Sequence, residues 1–171
     1  MQPQDTISYW LSYALRYVGS AFFEVLEAHC MERGKAYVIT PAQWGMMALL
    51  SANGEQTIGM LAQQLSVDAP AITAVVRRLE QSGLVERVHD REDRRVVKVS
   101  LTADGQDIIH SLNPVVAAFN EQLLSHDQRQ VFLAQLQHLI ARISAVAPDT
   151  GTRFCFLREH LRQQEHEHEG E

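Results

Sequence analysis

The chain has 171 residues, 46% of them apolar and 21% charged, with 15 Lys and Arg against 21 Asp and Glu and a formal net charge of −6. At roughly 100 to 200 residues per domain this is one domain, or one domain with helical extensions. The composition excludes disordered, collagen-like and disulfide-scaffold chains. The strongest apolar stretch, Trp44 to Leu50, falls far short of the roughly 20 residues that span a bilayer. The amino end shows no basic segment ahead of an apolar core, so the expectation is a cytoplasmic protein without a membrane segment. Cys30 and Cys155 are too few and too far apart for a Cys-x-x-Cys metal or redox motif, and both read as free thiols.

From Ile7 to His29, apolar residues recur at three- and four-residue steps (Trp10, Leu11, Ala14, Leu15, Val18, Phe22, Leu26), which predicts a long amphipathic helix ending near Gly34. A second helix opens at Thr40-Pro41, because threonine can cap the free amides and proline fits the first helical position. It runs to about Ser51 and is followed by an Asn53-Gly54 turn. Thr57 caps a short helix with Ile58, Leu61 and Leu65 inside, and Ser66-Val67-Asp68 breaks it. Asp68 caps the next helix, which has Pro70 in its first turn, Ile72, Val75, Val76 and Leu79 on its buried face, and a stop at Gly83.

Beyond Gly83 the period changes. Leu84 to Val88 and Val96 to Leu101 are rich in β-branched residues and bracket a charged run, which predicts a hairpin with a charged tip. Thr102 restarts helix, with Ile108, Ile109, Leu112, Val116, Phe119 and Leu123 inside and a kink expected at Pro114. A last helix carries Phe132, Leu136, Leu139, Ile140 and Ile143. Past Pro148, residues 153 to 163 suit a short helix, and the apolar-free stretch from Glu165 to Glu171 reads as disordered.

The charge is unevenly spread. Between Arg77 and Lys98 there are seven basic residues against five acids, which leaves eight basic and sixteen acidic residues elsewhere. A basic island on an acidic body is what a phosphate-contacting element requires, because Lys and Arg displace condensed counterions. By itself such an island is equally a solvated face.

Helix, helix, short helix, turn, helix and then a basic-tipped hairpin is the order of a winged helix-turn-helix, in which the helix after the turn enters a DNA major groove. The run LAQQLSVDAPAITAVVRRLEQSGLVERVHDREDRRVVKVSLTADG, from Leu61 to Gly105, resembles the winged-helix core of the MarR family of bacterial transcriptional regulators. The resemblance rests on the leucine pattern, on Leu79 with Gly83-Leu84-Val85-x-Arg87, on a wing ending Asp93-Arg94-Arg95, and on Leu101-Thr102-x-x-Gly105. With its flanking helices it spans about residues 7 to 146.

The resemblance implies a mostly α fold with a small β-hairpin wing (α+β): a winged helix-turn-helix lobe plus a helical dimerisation domain. The divisions are residues 1–36 for an amino-terminal dimerisation helix, 37–104 for the DNA-binding lobe, 105–147 for carboxy-terminal dimerisation helices and 148–171 for an acidic His/Glu extension. It further implies a homodimer on a pseudo-palindromic double-stranded DNA operator, most often repressing. The apolar stripes of the flanking helices exceed what the lobe can cover, so a symmetric interface is the natural place for them.

On the recognition helix, removing the core positions leaves Ala69, Pro70, Thr73, Ala74, Arg77 and Arg78 to face DNA. Thr73 can bond a base edge or touch a thymine methyl, Ala69 and Pro70 offer apolar contact, and Arg77 or Arg78 can reach guanine or phosphate. The family often has a serine or threonine in place of Pro70 and a longer polar residue in place of Ala74, so hydrogen-bond readout is expected to be thin and shape readout more important. At the wing the family pattern resembles Asp-x-Arg-Asp-x-Arg, matched here by Asp90-Arg91-Glu92-Asp93-Arg94-Arg95. By that match Arg95 enters the minor groove, Asp93 orients it, and Arg91 and Arg94 contact phosphates. The alternative is a solvated hairpin with internal charge pairing.

Many family members release DNA when a small aromatic, phenolic or carboxylate effector binds. The corresponding walls offer Tyr9, Trp10, Tyr13, Arg16, Tyr17 and His29 from the first helix and Trp44 and Met47 from the second. Rings that stack and one guanidinium that pairs with an acid suit a flat carboxylate ligand, although aromatics at this spacing also pack dimer cores. Cys30 is a redox alternative, but Glu27 and Glu32 nearby disfavour a thiolate and favour a structural thiol. The tail histidines His160, His166 and His168 are too irregularly spaced for a zinc site, and no metal or cofactor is implied. No nucleophile elbow, P-loop, dinucleotide fingerprint or His-Glu-x-x-His is present, which argues against an enzyme. A helical module binding a protein partner remains as the other non-enzymatic reading, although it gives no reason for three arginines at one tip.

Overall fold

The computed structural model describes residues 2–90 and 96–146. A single 3₁₀ turn, Pro3–Asp5, leads into α1 (Ile7–Glu32), α2 (Pro41–Asn53), β1 (Gln56–Thr57), α3 (Ile58–Gln64), α4 (Ala69–Gln81), β2 (Val85–His89), β3 (Val97–Leu101), α5 (Ala103–Leu123) and α6 (His126–Val146). The helix starts are chemically marked. Thr6, Thr40, Thr57, Asp68 and Thr102 each accept a hydrogen bond from an amide in the first turn of the helix that follows. At α2 the cap is reciprocal, with the Gln43 side chain accepting from the Thr40 amide at 2.8 Å.

The core gathers the inner faces of these elements. Leu26 and Cys30 from α1, Met46, Met47 and Leu50 from α2, Leu61 from α3, Ile72, Val76 and Leu79 from α4, Leu84, Val99, and Ile108, Ile109 and Leu112 from α5 form one buried cluster. Val75 lies at its edge, partly exposed. Two turns make the helix-turn-helix possible. Between α3 and α4, Ser66 adopts a left-handed φ of 54°, and the Val67 amide closes back on the Ala62 carbonyl at 3.0 Å. After α4, Gly83 takes φ 69°, a conformation glycine adopts without a Cβ penalty, and the Leu84 amide bonds the Leu79 carbonyl.

The sheet is antiparallel, ordered β1-β3-β2, with Val85 opposite Leu101 and Gln56 opposite Val99. The hairpin expected from the sequence is therefore joined by a third strand. At two residues β1 is too short to show a period, and its pairing with β3 is decided by the fold alone.

Other expectations need correction. Leu123, expected inside by its periodicity, is 47% exposed, and Phe132 and Ile143 among the apolar residues of α6 are 47% and 51% exposed. No described residue of α6 is buried, because no other described element covers that helix. The stripe of α1 is likewise core only in its second half, with Ile7, Trp10, Leu15 and Val18 exposed. Helix α5 continues through Pro114, which sits on its exposed side. No helix among the described residues is long and apolar enough to cross a membrane.

Candidate nucleic-acid interface

Helix α4 presents its outer face because its inner one is filled. Ile72, Val76 and Leu79 lock it into the core, and Asp68 Oδ1 accepts the Ala71 amide at 2.8 Å at the start. Ala69, Pro70, Thr73, Arg77 and Arg78 are all exposed, and Ala74 is partly so. All five exposed positions assigned to DNA on this helix are thus free to meet a partner. Thr73 does more than point outward: its hydroxyl donates to the Ala69 carbonyl one turn earlier at 2.8 Å.

Among the described residues neither Arg77 nor Arg78 is in a salt bridge, whereas Arg87 on β2 is held 3.2 Å from Glu80 on α4. This pair fastens the wing to the recognition helix and neutralises the one acid on that part of α4. Sequence reasoning missed it, since nothing in the spacing of residues 80 and 87 declares that a helix end and a strand will lie side by side. At the base of the wing Lys98 pairs with Asp90. The residues assigned to the wing tip, Arg91, Asp93, Arg94 and Arg95, lie outside the described residues, as do the tail residues His160, His166 and His168.

The eight residues offered to an effector separate into groups, with Tyr9 stacked on Tyr13 at 5.9 Å between ring centres. Trp10 is exposed, and its indole donates to the Gln4 carbonyl at 2.9 Å. Tyr13 and Tyr17 stack with ring centres 4.6 Å apart and share a hydrogen bond between hydroxyls at 3.0 Å. That bond, with a smaller loss of solvation, raises the Tyr17 phenol above its ordinary value. The Arg16 guanidinium lies 5.9 Å from the centre of the Tyr13 ring. Tyr13, Arg16 and Tyr17, with Ser20, Ala21 and Glu24, line an open groove of about 580 Å³ along α1. Ser20 and Glu24 extend the i, i+4, i+7, i+11 row begun by Tyr13 and Tyr17, with Ala21 beside them at i+8, a row legible in the sequence.

The others are not on that groove. Met47 is fully buried in the core and offers a ligand no surface. Trp44 meets Phe22 edge-on at 5.2 Å, Phe22 stacks on Phe119 at 5.4 Å, and the Trp44 indole nitrogen is buried without a hydrogen-bond partner. His29 Nε2 sits 3.0 Å from Ser111 Oγ, whose own proton goes to the Ile108 carbonyl at 2.9 Å. The imidazole is therefore the donor, and it ties α1 to α5. Cys30 is fully buried, as a structural thiol should be. Burial raises the phenol of Tyr37 above its ordinary value, helped by Cys30 and Asp104 and opposed by Arg33.

Comparison with known proteins fits this arrangement. A model of the MarR family matches residues 39–97, the span from the start of α2 to the first residue of β3. The HTH-type transcriptional regulator YsmB of Bacillus subtilis is 31% identical over 114 residues, covering 62% of this chain and 77% of that one. The chain belongs to the MarR family. It is a DNA-binding transcriptional regulator of the winged-helix type, and its relatives are regulators rather than enzymes. The HTH-type transcriptional repressor MdtR of B. subtilis is 27% identical over 131 residues, 74% of this chain and 81% of that one. The transcriptional repressor CouR, solved bound to a 23-mer DNA duplex, superposes with a TM-score of 0.69 at 26% identity, over 80% of this chain and 94% of that one.

Proposed function

We propose that this MarR-family member is a homodimeric repressor that binds a pseudo-palindromic operator and is released by a small aromatic carboxylate. The observation that carries the DNA part is the outer face of α4, where Ala69, Pro70, Thr73, Arg77 and Arg78 are exposed on a helix anchored by its opposite face. A twofold dimer sets two such helices about 34 Å apart, in successive major grooves. Arg91, Arg94 and Arg95 add the wing contacts, with Arg95 in the minor groove, Asp93 orienting it, and the other two on phosphates.

The dimer reading is supported by the exposed apolar residues of α1 and α6, which form broad faces that a second copy of the chain would bury. In this reading residues 1–36 and 105–147 dimerise and residues 37–104 bind DNA. Repression follows sterically, since a dimer over a promoter excludes polymerase, and the repressors MdtR and CouR among the similar proteins favour that sign. The effector reading rests on the α1 groove, where Tyr13 and Tyr17 supply aromatic surface and Arg16 a bidentate partner for a carboxylate, with Trp10 edge-on to Tyr13 beside it. A ligand there acts only by binding better to a lobe spacing unsuited to DNA, because equal affinity for both states shifts nothing.

The test is fluorescence anisotropy of the purified protein on labelled DNA from upstream of its own gene and on a scrambled duplex, at two salt concentrations. The expected result is at least ~10³-fold preference for the upstream fragment, with affinity falling as salt rises. Equal, weak binding to upstream and randomised duplexes alike would put the protein-partner reading ahead.

A further inference from the structure

We propose that the first two turns of α4 read thymine C5-methyl groups in the major groove, and that Thr73 sets this specificity. The inference rests on the DNA reading above and deepens it. A threonine hydroxyl has one proton to donate. Here that proton is committed to the Ala69 carbonyl at 2.8 Å, so exposed Thr73 offers a base edge only its methyl group and an oxygen lone pair.

The surrounding face is equally poor in donors. The side chains of Ala69, Pro70 and Ala74 carry no polar atom, and Pro70 lacks even an amide proton. Asp68, at the cap, is an acceptor already engaged with the Ala71 amide. The first side-chain donor on this face is Arg77, eight residues and about 12 Å beyond Ala69. Guanine presents only acceptors in the major groove at O6 and N7, so before Arg77 this surface has nothing with which to recognise it. Thymine alone presents an apolar group there, and a row of methyl and methylene surfaces is its complement. Burying one methyl contributes about fourfold in affinity per contact.

The lone pair of Thr73 could instead accept from adenine N6 or cytosine N4, and substitutions separate the two. Thr73→Val keeps a methyl and removes the oxygen, whereas Thr73→Ser keeps the back-bonding hydroxyl and removes the methyl. Thr73 is exposed, so both variants should fold, which far-UV circular dichroism and thermal melting check. The experiment selects tight duplexes from a randomised library with the full-length wild-type chain, then replaces each thymine of the consensus singly with deoxyuridine.

The expected outcome is one thymine per half-site at which deoxyuridine weakens wild-type binding about fourfold. Thr73→Ser should lose the same factor on the thymine duplex and be indifferent to deoxyuridine, while Thr73→Val stays within about twofold of wild type. Deoxyuridine without effect at every position, or Thr73→Val losing the affinity that Thr73→Ser retains, overturns the methyl assignment while specific DNA binding stands. If selection enriches no sequence at all, the DNA reading itself fails and takes this inference with it.

Discussion

Thr102 donates its hydroxyl to the carbonyl of Gly83 at 2.7 Å, nineteen residues earlier, and its amide to the adjacent Leu84 carbonyl at 3.1 Å. The same hydroxyl oxygen accepts the Gly105 amide at 3.0 Å, so one side chain caps α5 and stitches it to the turn that ends α4. Gly105 is required by this closeness, since a Cβ there would collide with the Leu84 carbonyl oxygen. The recognition helix and the long helix α5 are thereby one mechanical unit.

Gly105→Ala is expected to lower unfolding free energy by about 3 kcal/mol, because the obstacle is backbone and cannot rotate away. Thr102→Ala should cost about 1 kcal/mol from the lost cap alone, and Thr102→Ser much less. Denaturant titration of the three variants checks the order, and a Gly105→Ala protein as stable as wild type would contradict the packing described.

The wing gives a prediction in DNA affinity rather than stability. Arg95→Ala should weaken operator binding by about tenfold or more, the cost of a charged hydrogen-bonding group, without altering the melting temperature. Arg91→Ala should instead weaken all duplexes alike and reduce the slope of log affinity against log salt by about 0.9. Anisotropy across a salt series separates the two, and unchanged operator affinity in Arg95→Ala sinks the minor-groove assignment.

The proposed effector depends on Arg16. A panel of hydroxybenzoates should release the wild-type protein from its operator, and Arg16→Ala should require at least tenfold more ligand while binding DNA normally, since it loses a bidentate charge pair. An equal response in both proteins would place the ligand elsewhere.

Self-association is checked on α6. Phe132→Glu combined with Ile143→Glu places charges on residues that are 47% and 51% exposed in the single chain, so folding should survive. If these side chains are buried between two copies, sedimentation velocity will show the dimer dissociating at concentrations at least tenfold higher than for wild type.

Alkaline stability should carry the mark of Tyr37. Its phenol is raised above its ordinary value, mainly by burial and further by Cys30 and Asp104. The folded state therefore holds the proton longer than the unfolded state does, so stability is intact below about pH 10 and falls as pH rises through the folded value. Ultraviolet titration should show a late-ionising phenol that Tyr37→Phe removes, and the variant should lose less stability between pH 9 and 11.

Much of this architecture was legible because its signals are local. Thr40-Pro41, Thr57 and Asp68-x-Pro70 mark helix starts by side-chain chemistry that operates within three residues, and Gly83 marks an end by its positive φ. The exposed face of α4 followed by subtraction, since burying Ile72, Val76 and Leu79 at helical spacing leaves Ala69, Pro70, Thr73, Arg77 and Arg78 among the residues outside. Tertiary structure alone decided what depends on pieces distant in the chain. It added β1 to the sheet through Gln56 and Val99, buried Met47 away from the α1 groove, joined Glu80 to Arg87 and His29 to Ser111, and left α6 uncovered by any other described element. A period in the sequence states that a residue has an apolar face, but only the packed chain states whether anything of its own lies against that face. In α6 nothing among the described residues does, which is why apolar positions at helical spacing there are exposed rather than core.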